Sequence, residues 1–275
     1  MVLTLNQQVE NNISIEADGI IPELLRGKTT DEIKMIPVPC GNEVIALGEL
    51  FNVSGAMDKT ETVVFEGSLT NVHAIGMKMA SGVVQIFGAA GNRIGVKMSG
   101  GEIRSTADAG DHLGSEMTGG LIAIQGNAGD SVGSVLPGSK IGVNRGTILV
   151  RGSVGKGAGE SMRRGLLVVG GDAGDLVGWS MRAGTLVVMG KAGAHVGAEM
   201  KRGTIVLGGG LGPSSFSNFR QGGSFRMPAI ALITNWLKRE HPDFDVNVSR
   251  LDTDFNLYHG DFLHGGRGEI LVPAS

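Results

Sequence analysis

Apolar residues and glycines recur along this chain with a fixed step. Met79, Met98 and Met117 are nineteen residues apart, and so are Met162, Met181 and Met200. Val143 takes the same slot nineteen before Met162 and twenty-six after Met117, which places a seven-residue insertion around 134–142. Three positions after the slot stand Gly82, Gly101, Gly120, Gly146, Gly165, Gly184 and Gly203; glycines follow at nine (Ala107 excepted), twelve and sixteen, giving G-x-x-x-x-x-G-x-x-G-x-x-x-G. Between the first two glycines lie residues such as Thr185, Leu186, Val187 and Val188, rich in β-branched and aliphatic side chains. Val84, Ile103, Ile122, Ile148, Leu167, Leu186 and Ile205 share one position of this stretch, and Ile86, Ser105, Ile124, Val150, Val169, Val188 and Leu207 lie two further on. The alternation predicts a short strand per unit with one face turned to an apolar interior.

A unit this short cannot bury its own apolar face, so it folds only when like units stack. The expected architecture is all-β: a right-handed parallel β-helix of about seven 19-residue Gly-rich coils, roughly 34 Å long, with one or two irregular coils before them. The glycines then fall at corners, where φ is positive or backbones approach closely. Upstream, Val44–Leu47, Phe51–Val53 and Thr62–Phe65 resemble strands, with Gly48, Gly55, Gly67 and Gly76 as further corners. Thr29 followed by Glu32 makes a capping box for a helix start. Past residue 212 the pattern stops, and eight of the twelve aromatic residues lie between Phe216 and Phe262. Pro228–Arg239 fits an amphipathic helix with Ile230, Ile233, Trp236 and Leu237 on one face, and Glu269–Val272 a last strand. Three segments result: an N-terminal cap (1–43), the glycine-rich β-helix (44–212) and a partly helical aromatic extension (213–275) that docks on the rod or on a partner.

Composition sharpens this picture. Forty-seven glycines in 275 residues come with 41% hydrophobic residues, enough for a core, so the excess is periodicity rather than low complexity. The net charge of −3 offers no global attraction for nucleic acid or acidic membrane. A lone cysteine, Cys40, excludes an intrachain disulfide and is expected to pack as a small hydrophobe. The start lacks a signal-peptide pattern and no stretch approaches 18 apolar residues, which predicts a cytoplasmic protein. None of the six histidines forms a zinc motif; His259, Asp261 and His264 are the nearest approach to a metal or acid–base group. Asp108, Asp111, Asp130, Asp172 and Asp175 fall in corners, where they either satisfy turn backbone or bridge a cation. Gly208-Gly209-Gly210-Leu211-Gly212 lacks the lysine of a phosphate loop and is expected to be the last corner.

One further column is charged. In the two positions after the methionine slot, the first three coils carry Ala80-Ser81, Ser99-Gly100 and Thr118-Gly119. The next four carry Asn144-Arg145, Arg163-Arg164, Arg182-Ala183 and Lys201-Arg202. Stacking would set Arg145, Arg163, Arg164, Arg182, Lys201 and Arg202 along one edge at about 4.8 Å per coil. Such a ladder is a solvated face balanced by Glu160 and Glu199, or it meets something anionic.

The repeat resembles the GXGXG β-helix at the C-terminus of glutamate synthase large subunits and in the C subunits of formylmethanofuran dehydrogenases. Leu25-Arg26-Gly27-Lys28, Asp31-Glu32-Ile33-Lys34, Gly41-Asn42-Glu43-Val44, Leu47-Gly48 and Val53-Ser54-Gly55 look like the N-terminal region of those C subunits. The long aromatic tail, through Leu257-Tyr258-His259-Gly260-Asp261 to Gly265-Gly266-Arg267-Gly268-Glu269-Ile270, is most like the C subunit of the bacterial formyltransferase/hydrolase complex. The resemblance implies a non-catalytic scaffold with no active site, metal or cofactor of its own. Its partners would be a hydrolase-type (amidohydrolase-like) subunit, a formyltransferase subunit and a dehydrogenase-like subunit, with no nucleic acid or membrane among them. Together they would move formyl from tetrahydromethanopterin to a methanofuran-type carrier and release formate, using zinc in another subunit. It also makes the carrier's glutamyl tail a candidate ligand for the cation ladder. The alternatives are the C subunit of a tungsten or molybdenum formylmethanofuran dehydrogenase and, more remotely, a stand-alone polysaccharide enzyme or a glutamate synthase module.

Overall fold

The computed structural model describes residues 2–8, 13–210, 217–244 and 246–274. Strands make up most of the regular structure, as the all-β expectation requires. One sheet of thirteen strands dominates it. Its centre is a parallel series: Thr62–Glu66, Val83–Phe87, Glu102–Ser105, Leu121–Ile124, Asn144–Val150, Arg164–Val169, Thr185–Val188 and Gly203–Leu207. Partners in adjacent strands are like positions of the repeat: Ile103 faces Ile122, Leu167 faces Leu186, and Leu186 faces Ile205. Across the insertion Ile122 still faces Ile148, so the extra residues are accommodated outside the ladder. A second line of isolated parallel bridges runs Leu69, Ala90, Ala109, Ala128, Val154, Ala173 and Ala192.

These columns build the core. Every member of the methionine slot is buried, as are Val84 to Ile205 on the strands and Ile94, Leu113, Val132, Ala158, Val177 and Val196 between them. The corners divide into two kinds. Gly184, with φ of +103°, has the left-handed conformation expected three positions after the slot; a Cβ there would meet Met162 Cε at 3.0 Å. Twelve after the slot φ is ordinary and the constraint is room. A Cβ on Gly129 would collide with Asp111 Oδ1 and approach the backbone nitrogen of Asp111 at 2.9 Å. That carboxylate lies there because it accepts the Asp130 N–H one coil on, at 2.7 Å.

The same bond repeats along two columns. Asn92 accepts from the Asp111 N–H, Asp130 from that of Lys156 and Asp175 from that of Ala194; in the other column Asp108, Asn127, Ser153 and Asp172 accept from Asn127, Ser153, Asp172 and Lys191. The corner carboxylates thus take the backbone-satisfying role open to them in the sequence.

Both ends depart from the repeat. Leu3–Gln7 lies in the main sheet, parallel to Thr62–Glu66 and antiparallel to the edge strand Phe51–Ser54. Glu43–Ala46, Pro37–Cys40, Ile15–Glu16 and Val72–His73 form a separate four-stranded sheet. The Thr29–Glu32 capping box forms, with each residue's backbone N–H bonded to the other's side chain. The strand expected over Val44–Leu47 stops at Ala46. Leu47–Leu50 makes a helical turn instead, because that turn lets Leu47 and Leu50 both reach the core. Gly48, expected as a corner, sits inside it, where a Cβ would meet Lys34 Cβ at 2.9 Å. Cys40 is buried among apolar neighbours.

The tail completes the other end. Gly268–Pro273 pairs parallel to Gly203–Leu207, and Phe255–Gly260 and Arg220–Phe225 follow antiparallel, the last forming the outer edge. The helix Pro228–Glu240 buries Ile230 and Leu237, with Ile233 and Trp236 packed beside them, on the outward column Ala123, Leu149, Val168, Val187 and Val206. Of the last expected corner, Gly208–Gly210 form a turn, while Leu211, Gly212, the boundary at Pro213 and Phe216 lie outside the described residues.

Two substitutions probe this construction. Met181→Asp puts an unpaired charge at a fully buried rung, a penalty of several kcal/mol, and should leave no soluble folded chain; a wild-type melting temperature refutes the register. Asp111→Ala strips the Asp130 N–H of its acceptor and should destabilise by about 1 kcal/mol in thermal or urea unfolding, whereas no change would make the corner bonds incidental.

Candidate functional site

The cation column forms on one edge of the sheet. The N–H groups of Arg163, Arg182 and Lys201 donate to the carbonyls of Val143, Met162 and Met181 at 2.7 to 2.8 Å, so each residue is held one coil above the last. Arg145, Arg163, Arg164, Arg182, Lys201 and Arg202 are all exposed. Among the described residues none of the six makes an ion pair within 4.0 Å, and neither Glu160 nor Glu199 reaches them. The earlier coils make the same backbone bonds with Ser99 and Thr118, whose N–H groups donate to Met79 and Met98. The fold therefore does not require a cation in this slot.

The column is longer than the sequence pattern disclosed. Gly268 pairs with Gly203, which sets Arg267 beside Arg202 as a further exposed rung. The signal was present in Gly268, Ile270 and Val272, which repeat the spacing of Gly203, Ile205 and Leu207 across a 65-residue gap.

Of the histidine and carboxylate candidates, Asp261 and His264 come together. His264 Nδ1 lies 3.4 Å from Asp261 Oδ2. Asp261 is 2% exposed and also accepts the N–H groups of Leu263 at 2.9 Å and Glu199 at 3.1 Å. Burial alone would raise its pKa; the bonds from Leu263, Glu199 and His264 outweigh that and hold it below the usual carboxylate range. His259 instead sits in the strand Phe255–Gly260 opposite Arg220 and Glu269. Among the described residues no group of three or more His, Cys, Asp or Glu side chains is placed to hold a metal ion.

The insertion walls a cavity of about 340 Å³ lined by His112, Ser131, Leu136, Ser139 and Glu160. Burial raises the Glu160 pKa, with an opposing influence from His112. His112 Nδ1 lies 3.4 Å from the hydroxyls of Ser115 and Ser134, but both serines are wholly buried, which removes them as nucleophiles. Among the described residues the chain presents a charged edge and a covered sheet, and no nucleophile, base and oxyanion donor converge there.

No protein-family model matches the chain. Similar relatives include the C subunit of the tungsten-containing formylmethanofuran dehydrogenase 2 of Methanothermobacter marburgensis, 36% identical over 91 residues, or 32% of this chain and 33% of that one. The C subunit of the molybdenum-containing formylmethanofuran dehydrogenase 1 of Methanosarcina barkeri is 39% identical over 83 residues, or 29% of this chain and 28% of that one. Over about a third of its length, then, the chain is similar to formylmethanofuran dehydrogenase C subunits. These matches span about a third of the length of the curated relatives. A likeness over the full length comes from a chain in the crystal structure of the formyltransferase/hydrolase complex (FhcABCD) from Methylorubrum extorquens in complex with methylofuran. It has a TM-score of 0.89 and 29% identity, and the match covers 99% of this chain and 100% of that one.

The anchoring of Asp261 has a pH consequence. A carboxylate whose pKa is lower in the folded than in the unfolded chain adds stability above its unfolded value and loses it as pH falls through the folded one. Amide exchange of Leu263 and Glu199 should therefore accelerate below about pH 4, ahead of the parallel strands, and Asp261→Asn should remove that step. Uniform exchange across both regions would contradict it.

Proposed function

We propose that this chain is a non-catalytic scaffold, the C subunit of a formyltransferase/hydrolase complex. Its partners transfer formyl from formyl-tetrahydromethanopterin to a methanofuran-type carrier and hydrolyse it to formate. The observation that carries the choice is the likeness along the whole chain to a component of such a complex, tail included, against a third-length match to the dehydrogenase subunits. The 19-residue turns wind as a right-handed parallel β-helix, as the parallel like-on-like register supports. Residues 1–43 cap it, 44–212 form the rod and 213–275 cover its outer face. Hydrolase-type, formyltransferase and dehydrogenase-like subunits are the partners, in the cytoplasm, and zinc belongs to one of them. The cations from Arg145 to Arg202 serve an anionic surface or ligand of that assembly, which includes the carrier's glutamyl tail. No nucleic acid, membrane or glycan substrate enters this reading. A tungsten or molybdenum dehydrogenase is the second one, favoured by the names of the partial relatives.

Native mass spectrometry and metal analysis of the purified assembly separate the two. Zinc without tungsten or molybdenum, with formate released from formyl-tetrahydromethanopterin, is expected; a pterin-bound tungsten or molybdenum would establish the dehydrogenase instead. The isolated chain should turn over neither substrate.

A further inference from the structure

The loop that follows Phe255–Gly260 is held more firmly than its exposure explains. Asp261 accepts three bonds, its carbonyl accepts the N–H groups of His264 at 3.0 Å and Gly266 at 2.8 Å, and the Phe262 N–H donates to Asn218 at 3.0 Å. The Arg220 guanidinium lies 5.1 Å from the centre of the Phe262 ring. Yet this braced loop presents Phe262 at 48% and Leu263 at 75% exposure. Large apolar side chains fixed outward lose little conformational entropy on meeting a partner, a property of interface anchors.

The loop also terminates the cation column. The Asp261–Glu199 bond ties it two residues before Lys201, and Arg267 leaves it beside Arg202. We propose that Phe262 and Leu263, with Lys201, Arg202, Arg220 and Arg267 around them, form one docking surface for another protein subunit. That subunit supplies an apolar socket ringed by carboxylates. This deepens the scaffold proposal and rests on it: the column's outer end receives a folded acidic surface rather than a free polyanion, because a polyanion has no use for two anchored hydrophobes. The basic rim fixes the sign of the partner's charge. Because Ser99 and Thr118 serve the same backbone geometry, the cations answer to something outside this chain.

The test is made on the whole assembly, with two double variants, Phe262→Ser with Leu263→Ser and Arg202→Glu with Arg267→Glu. Leu232→Ser, which alters a leucine exposed at 70% on the helix Pro228–Glu240, is the control. Each should melt as wild type. Both doubles should lose the same single subunit in native mass spectrometry, by tenfold or more at moderate salt, while the control keeps the full set. Retention of every subunit by both doubles overturns the docking surface and leaves the scaffold reading standing. Loss of carrier alone from the arginine double overturns it in favour of an anion site, and loss of a self-association overturns it in favour of a second copy. A wild-type chain that brings no subunit at all overturns the scaffold reading itself.

Discussion

Parallel pairing between positions nineteen residues apart governs this molecule. Each strand is four to seven residues long and supplies two or three inward side chains, too few to exclude water alone. Once Leu167 pairs with Leu186 and Leu186 with Ile205, however, every other slot is forced into register as well. Methionine stacks on methionine in the core, and a corner carboxylate arrives beneath the N–H group of the next corner. The glycine twelve after the slot follows from the same constraint, since the carboxylate needs the space a Cβ would fill. Packing, corner hydrogen bonds and surface charge are three readouts of one register.

A ladder of this kind exposes a strand edge at each end, and the two are treated differently. At the start, Leu3–Gln7 adds one parallel rung and only Phe51–Ser54 reverses direction, with Phe51 and Val53 buried on the inner face. At the far end Gly268–Pro273 adds one more parallel rung before Phe255–Gly260 and Arg220–Phe225 reverse. All six residues of the final strand are exposed, and its pairing shifts register between Gln221 and Ser224. An irregularity of this type bends an edge away from flat pairing, so side chains on the neighbouring loop are better suited to contact than the edge itself.

Much of this was legible in the residues. The methionine step, the first glycine column, the Thr29 cap and the helix from Pro228 were all visible, because each depends on a local or strictly periodic constraint. Other features left weaker marks. Lys97, Glu116, Ser161, Ser180 and Glu199 all have positive φ just before the slot. No shared residue type advertises it, since several of these are held by a bond to the next coil, such as the Ser161 N–H to Trp179 at 2.8 Å. Leu47 matched a strand pattern, but the helical turn that buries it depends on the core contact of Leu50, which alternation does not encode. The place of the tail was written in the outward column: Gln85 and Arg104 give way to Ala123, Leu149, Val168, Val187 and Val206, a change that demands a cover. Arg267 escaped because its rung reaches the ladder only after the chain has made a helix and two antiparallel strands.

The insertion separates two halves with different surfaces. Before it, the outward strand positions carry Gln85, Arg104 and, in the last repeat, Ala123, and the edge positions carry Ser81, Ser99 and Thr118. After it, the outward column is apolar and covered by the tail, while the edge column is cationic and open. Neither change improves the core, whose inward residues are alike on both sides. The repeat thus keeps its interior across the break, while its outward column turns apolar at Ala123, one repeat before it, and its edge column turns cationic at Arg145, just after it. The apolar column has found its cover within this chain, while the cationic one runs, without an ion pair among the described residues, to the braced Phe262–Leu263 loop.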